Sequence, residues 1–197
     1  MVAGRHHTII TGTGRAGTTL LVRILTVAGV DTGFDSANFD VDAIAHAGLE
    51  KDLRDNPDCY VVKSPFIATY LGGLLKEKTI AVDHAIVCVR DLHDAAESRR
   101  KVQAIRKTRS SVAGGLWGTA MASAQEDILA IFFFGLLVDL TRYEIPTTFL
   151  EFPRFAVDPD YLVRKISPVF PDIEPARLAN AHRAEARAEL INDFRRK

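Results

Sequence analysis

The segment from Thr8 to Leu25 reads TIITGTGRAGTTLLVRIL and holds the densest group of residues able to do chemistry. Gly12, Gly14 and Gly17 free the backbone to turn tightly and to come close to a ligand. Arg15 places a cation inside that turn, and Thr18 and Thr19 add two hydroxyls just after it. Successive backbone N–H groups, with the positive end of the helix that follows, surround an anion such as a phosphate. Further candidates stand at the ends of apolar runs. Tyr60-Val61-Val62 runs into Lys63, AIVCV runs into Arg90, and Ser98 follows Arg90 by eight residues. Asp35 and Asp40, in GFDSANFD, are carboxylates of the kind that accept a hydroxyl proton when desolvated beside it.

Gly12 and Gly17 have the spacing of the P-loop pattern G-x-x-x-x-G-K-[ST], but Thr18 stands where the lysine belongs and the cation has moved to Arg15. Nucleoside triphosphatases use that lysine with magnesium to neutralise charge between the β- and γ-phosphates, so its loss argues against ATP or GTP hydrolysis. The segment Gly14-Arg15-Ala16-Gly17-Thr18-Thr19 resembles instead the 5′-phosphosulfate loop of the sulfotransferases, which use 3′-phosphoadenosine 5′-phosphosulfate (PAPS) as sulfuryl donor. The Arg90 to Ser98 interval is similar to the 3′-phosphate motif of that family, and Lys63-Ser64-Pro65 looks like the Lys-Ser-Pro that follows its second strand. Glu151, at the end of a strand and followed by Asp158-Pro159, resembles the family's tail.

What the resemblance implies is a three-layer P-loop α/β fold, a central parallel sheet flanked by helices, that moves a sulfuryl group from PAPS to a hydroxyl or amine without a metal. Gly14 to Thr19 are then the donor loop, with Arg15 neutralising the leaving oxygen. Arg90 and Ser98 hold the 3′-phosphate, and Lys63 stabilises charge on the sulfuryl oxygens. Cytosolic sulfotransferases commonly place a histidine base two residues after such a lysine, and here that position is Pro65. Protein-tyrosine sulfotransferases resemble the chain in Arg-x-Gly-Thr-Thr and use an acidic base further along, a place that Asp35 or Asp40 fills. The Gly-rich, Lys-containing 3′-phosphate segment of the cytosolic enzymes is absent after residue 170. The acceptor stays open among small molecules, glycans and peptides. Two other readings stand beside this one: a P-loop kinase or nucleotide hydrolase, with Asp91 after AIVCVR as magnesium ligand, and a nucleotide-binding protein without catalysis.

The elements that position these residues follow from composition and periodicity. A chain of 197 residues, 47% hydrophobic and 25% charged, is expected to form one domain over residues 1–197. Its 25 basic and 25 acidic residues cancel, so no general attraction to nucleic acid or to a membrane surface is expected. Cys59 and Cys88 lie in apolar runs as buried strand thiols, MVAGRHHTII lacks a signal-peptide core, and the apolar stretch 128–140 reads as a buried helix shorter than the ~20 residues of a membrane span. A reducing, cytoplasmic setting is expected.

Strands are predicted at 7–11, 60–63, 84–89 and 147–152, and helices at 18–27, 42–55, 66–76, 93–107, 120–143, 159–167 and 175–195. Strands alternating with helices predict a parallel sheet covered on both faces, with the ligand beyond its carboxyl ends. Six basic residues from Arg99 to Arg109 precede a Gly-rich loop holding Trp117, the chain's one tryptophan, read either as a lid or as an exposed helix face followed by a structural loop.

Overall fold

A computed structural model describes residues 5–108, 110–191 and 194; Arg109, the last of the six basic residues noted above, and Arg195, the predicted end of the last helix, lie outside the described residues. Four parallel strands, β1 (Arg5–Gly12), β2 (Val61–Lys63), β3 (Ile80–Val89) and β4 (Thr147–Glu151), form one sheet in the order β2-β1-β3-β4. Parallel neighbours cannot be joined by a tight turn, so the chain crosses over through helical segments. These are α1 (Thr18–Val27), α2 (Leu71–Glu77), α3 (Leu92–Arg106) and α4 (Gln125–Arg142), while α5 (Arg154–Val157), α6 (Pro159–Ile166) and α7 (Pro175–Glu185) follow the last strand. Strand side chains alternate between faces. Ile10, Ile86 and Cys88 pack with Leu21, Leu25, Leu162 and Leu178 of α1, α6 and α7. Ile9, Ala85 and Val87 pack on the other face with Leu71, Leu136 and Leu140 of α2 and α4. The expected α/β architecture, a parallel sheet flanked on both faces, is therefore present.

Several boundaries differ from the sequence reading, each for a local reason. The helix expected at 42–55 is absent. Asp42 instead accepts hydrogen bonds from the N–H groups of Ile44 and Ala45, a side-chain competitor to the helical ladder, and an isolated bridge joins Val41 to Gly48. Only Leu53–Asp55 makes a 3-10 turn there. The element expected at 66–76 splits into a 3-10 turn, Pro65–Thr69, capped by Ser64, followed by α2. The last helix stops at Glu185, because Ala186 adopts an extended backbone, and a 3-10 turn follows at Ala188–Leu190.

The stretch 128–140 is helical but not buried throughout. Leu129, Leu136 and Leu140 face the core, while Ile131 and Phe134 are 62% and 69% exposed. Among the described residues no helix is long and apolar enough to cross a membrane. Cys59 and Cys88 are both buried free thiols, and burial pushes the Cys88 thiol up to about 12.

Phe155 on α5 is fully buried beneath the loop that follows β1, where a Cβ on Gly17 would meet its ring. Phe155→Ala is expected to lower stability by about 3–5 kcal/mol in urea unfolding. An unchanged unfolding midpoint would contradict this packing.

Candidate functional site

β1 leaves the sheet at Gly12, where the chain passes so close to β3 that a Cβ would lie 1.9 Å from the Cys88 carbonyl oxygen. The next five residues form the turn, and α1 starts at Thr18. Gly17 is its N-cap in the left-handed region at φ 75°, and no side chain caps the first-turn N–H groups. Those donors and the positive end of a ten-residue helix are a ready cradle for an anion. A cavity of about 380 Å³ opens beside them, reached by Thr18 and Thr19 of α1 and by Lys63, Arg90 and Phe152 at the exits of β2, β3 and β4. Of the other predicted loop residues, Arg15 and Gly17 line this cavity, while Ala16 is fully buried in the core.

The cations gathered here come from distant parts of the chain. Arg15 Nε donates to Ser98 Oγ at 3.0 Å and its Nη1 donates to the Ala45 carbonyl. Arg90, 6% exposed, donates from Nη1 to the Arg15 carbonyl at 2.9 Å, and its N–H donates to Thr13 Oγ1. The two predicted anion motifs are thus joined directly, side chain to side chain and side chain to backbone. Burial, and then repulsion from Arg90, lowers Arg15 to about 10, so at neutral pH it stays charged.

Sequence reasoning did not single out Arg99 for the site. It follows Ser98 on α3, is 5% exposed, and lines the same cavity. The buried positions Ala95, Ser98, Arg99 and Val102 form one stripe at helical spacing, a signal present in the sequence.

Lys63 is almost fully buried at the end of β2. Its Nζ donates to the Gly48 carbonyl at 2.8 Å and to Thr19 Oγ1 at 3.2 Å, and it forms an ion pair with Glu50. Burial lowers its pKa, an effect that Glu50 partly offsets. Glu50 lines the cavity with its side chain 34% exposed, so a carboxylate and an ammonium meet beside the loop hydroxyl. Asp35, the carboxylate expected in this role, is exposed, accepts from the Ala37 N–H at 2.9 Å, and does not line the cavity. Asp40 is exposed as well and is likewise outside it. Asp91 caps α3 by accepting from the Asp94 N–H and is exposed at that helix start. The Glu151 side chain is exposed, near Arg154 at 3.9 Å, and reaches no loop of the site.

The segment 110–118 is held rather than free. Fully buried Gln125 accepts from the Trp117 N–H at 2.8 Å and donates to its carbonyl at 3.0 Å. The Trp117 ring packs between Phe66 and Phe132, with centroids at 5.3 and 4.5 Å. Arg187, Leu190 and Ile191 beyond α7 also line the cavity, and the Phe194 ring lies 6.0 Å from the Arg90 guanidinium. The described residues beyond α7 therefore lie at the site instead of continuing that helix.

No protein-family model, curated protein or solved structure matches this chain.

The buried Gln125 amide carries both hydrogen bonds that fix Trp117. Gln125→Ala is expected to cost about 1–3 kcal/mol, to shift Trp117 emission to the red and to speed proteolysis within 110–118. Native emission and native cleavage rates in this variant would show that the loop is held by other contacts.

Proposed function

We propose that this protein is a sulfotransferase using PAPS, with a hydroxyl or amine as acceptor. One observation carries the reading. The loop residues Arg15 and Thr19 are in direct hydrogen-bond contact with Ser98, Arg90 and Lys63, so the three sequence motifs that resemble the family meet at a single cavity.

The residue types at the cavity suit such a donor. The uncapped amides of α1, with Thr18 and Thr19, hold the 5′-phosphosulfate. Arg90 offers a planar fork to the 3′-phosphate, and Ser98 adds a hydroxyl. In the transfer, the acceptor oxygen bonds to sulfur while the bond from sulfur to the bridging oxygen breaks, and the electron pair leaves with the phosphate. Arg15 and the loop amides stabilise the charge that builds on that oxygen. Lys63 stabilises the sulfuryl oxygens, and Glu50 takes the acceptor's proton. Glu50 replaces Asp35 in this role because it shares the cavity with Lys63, and Asp35 does not.

Titration with 3′-phosphoadenosine 5′-phosphate in EDTA, beside ATP with magnesium, tests the donor class. Metal-free binding of the bisphosphate is expected, weakened about ten- to hundredfold in Arg90→Ala. With PAPS and a broad acceptor panel, Glu50→Gln is expected to reduce turnover about 10²-fold or more while leaving bisphosphate affinity unchanged. A preference for magnesium-ATP would overturn the reading, and full turnover in Glu50→Gln would remove the proposed base.

A further inference from the structure

Arg99 takes no part in the chemistry above, yet it is built into the site with unusual care for a residue on a helix surface. Its Nη1 donates to the Gly115 carbonyl at 2.8 Å, and its guanidinium lies 5.4 Å from the Trp117 ring centroid. Its Nε is buried without a hydrogen-bond partner among the described residues. Its Nη2 sits against the donor loop, 2.3 Å from where a Cβ on Gly14 would be, so a side chain there would push the guanidinium aside. No ion pair among the described residues includes Arg99 or Arg15. Burial, and then the charge of Arg15, lowers Arg99 to about 10. A cation enclosed beside another cation, with a donor left over, calls for an anion between them.

Its position says which part of a nucleotide that anion belongs to. Trp117, under the Arg99 guanidinium, packs on Phe66, which lies just beyond Lys63 at the exit of β2. Arg90 lies toward β4 instead, with Phe152 5.1 Å from its guanidinium. Arg90 and Arg99 thus reach the glycine loop at different points, the Arg15 carbonyl and Gly14, the first toward β4 and the second toward β2. A nucleotide with its 3′-phosphate at Arg90 comes to Arg99 with the outermost group of its 5′ chain.

We propose that Arg99 is a specificity-determining residue that reads the outermost group of the 5′ chain, donating Nε–H and Nη2–H to the sulfuryl oxygens. The site thereby favours the loaded donor over the spent 3′,5′-bisphosphate. This inference rests on the sulfotransferase reading. After transfer the sulfuryl group departs with the acceptor, Arg99 keeps Gly115 as its hydrogen-bond partner and Trp117 beneath it, and the bisphosphate is held more weakly.

The test is a comparison of dissociation constants for PAPS and for 3′-phosphoadenosine 5′-phosphate, in EDTA and without acceptor, for the native protein and for Arg99→Gln and Arg99→Lys. The native protein is expected to bind PAPS more tightly. Arg99→Gln is expected to weaken PAPS about ten- to hundredfold and the bisphosphate less than about threefold, with Arg99→Lys between, because an ammonium lacks the fork. Equal weakening of both ligands would reduce Arg99 to a loop-positioning residue and overturn the proposal. Should Arg99→Gln fail to fold, the ratio of the two constants in Arg99→Lys decides alone. If the native protein binds neither ligand but binds magnesium-ATP, the sulfotransferase reading fails separately. Adenosine 5′-diphosphate against 5′-monophosphate in EDTA then poses the same question: loss of the diphosphate preference in Arg99→Lys supports Arg99, and an unchanged ratio ends the idea.

Discussion

The structure turns on positive charge held in a poorly solvated cleft at one end of a parallel sheet. Arg15, Arg90, Arg99 and Lys63 converge there, the last three buried, and Lys63 forms an ion pair with the carboxylate of Glu50. Charges so placed are costly unless hydrogen-bonded, and the fold meets that demand mainly with backbone carbonyls, those of Arg15, Ala45, Gly48 and Gly115. Carbonyls satisfy N–H donors without cancelling their charge. Arg15 and Arg99, which form no ion pair among the described residues, therefore keep their attraction for anions.

The remaining features serve that arrangement. Gly12 lets β1 approach β3 closely enough to bring Arg90 beside the loop, and Gly14 leaves space for the Arg99 guanidinium. The segment from Asp42 to Glu50 is fastened to α3 by the Asp42 to Arg106 ion pair and to β2 through Lys63. It forms one wall of the cavity, and Ala113 and Gly114, just before the anchored Trp117, contribute to another.

Much of this was legible before any coordinates. The change from the apolar run at Thr8–Thr11 to helical spacing after Thr18 is a strong local signal, and α1 begins and ends where its periodicity does. Strand exits were equally plain, which is why Lys63 and Arg90 were candidates from the sequence, and both line the cavity. Asp42–Asp55 was misread because its apolar spacing suits a helix, whereas the decisive competitor is one carboxylate bonding to two nearby N–H groups. Glu50 was lost with that segment, since its meeting with Lys63 depends on the loop and not on spacing along the chain. Arg99 sat inside a basic run that resembles a solvated helix face, and its burial becomes apparent only against the apolar stripe of α3.

The strand order also bears on how the site comes into being. β1 contributes the anion loop, yet its widest pairing is with β3, in a register that joins Thr8 to His84 and Gly12 to Cys88. Every neighbour in this sheet is remote in sequence, so assembly must close long loops before any ladder hydrogen bond repays the lost chain entropy. The guanidiniums accordingly have no common cleft in a partly folded chain. Their mutual repulsion is felt only once β1 and β3 have met, so it is a cost that the closing of the sheet itself must meet.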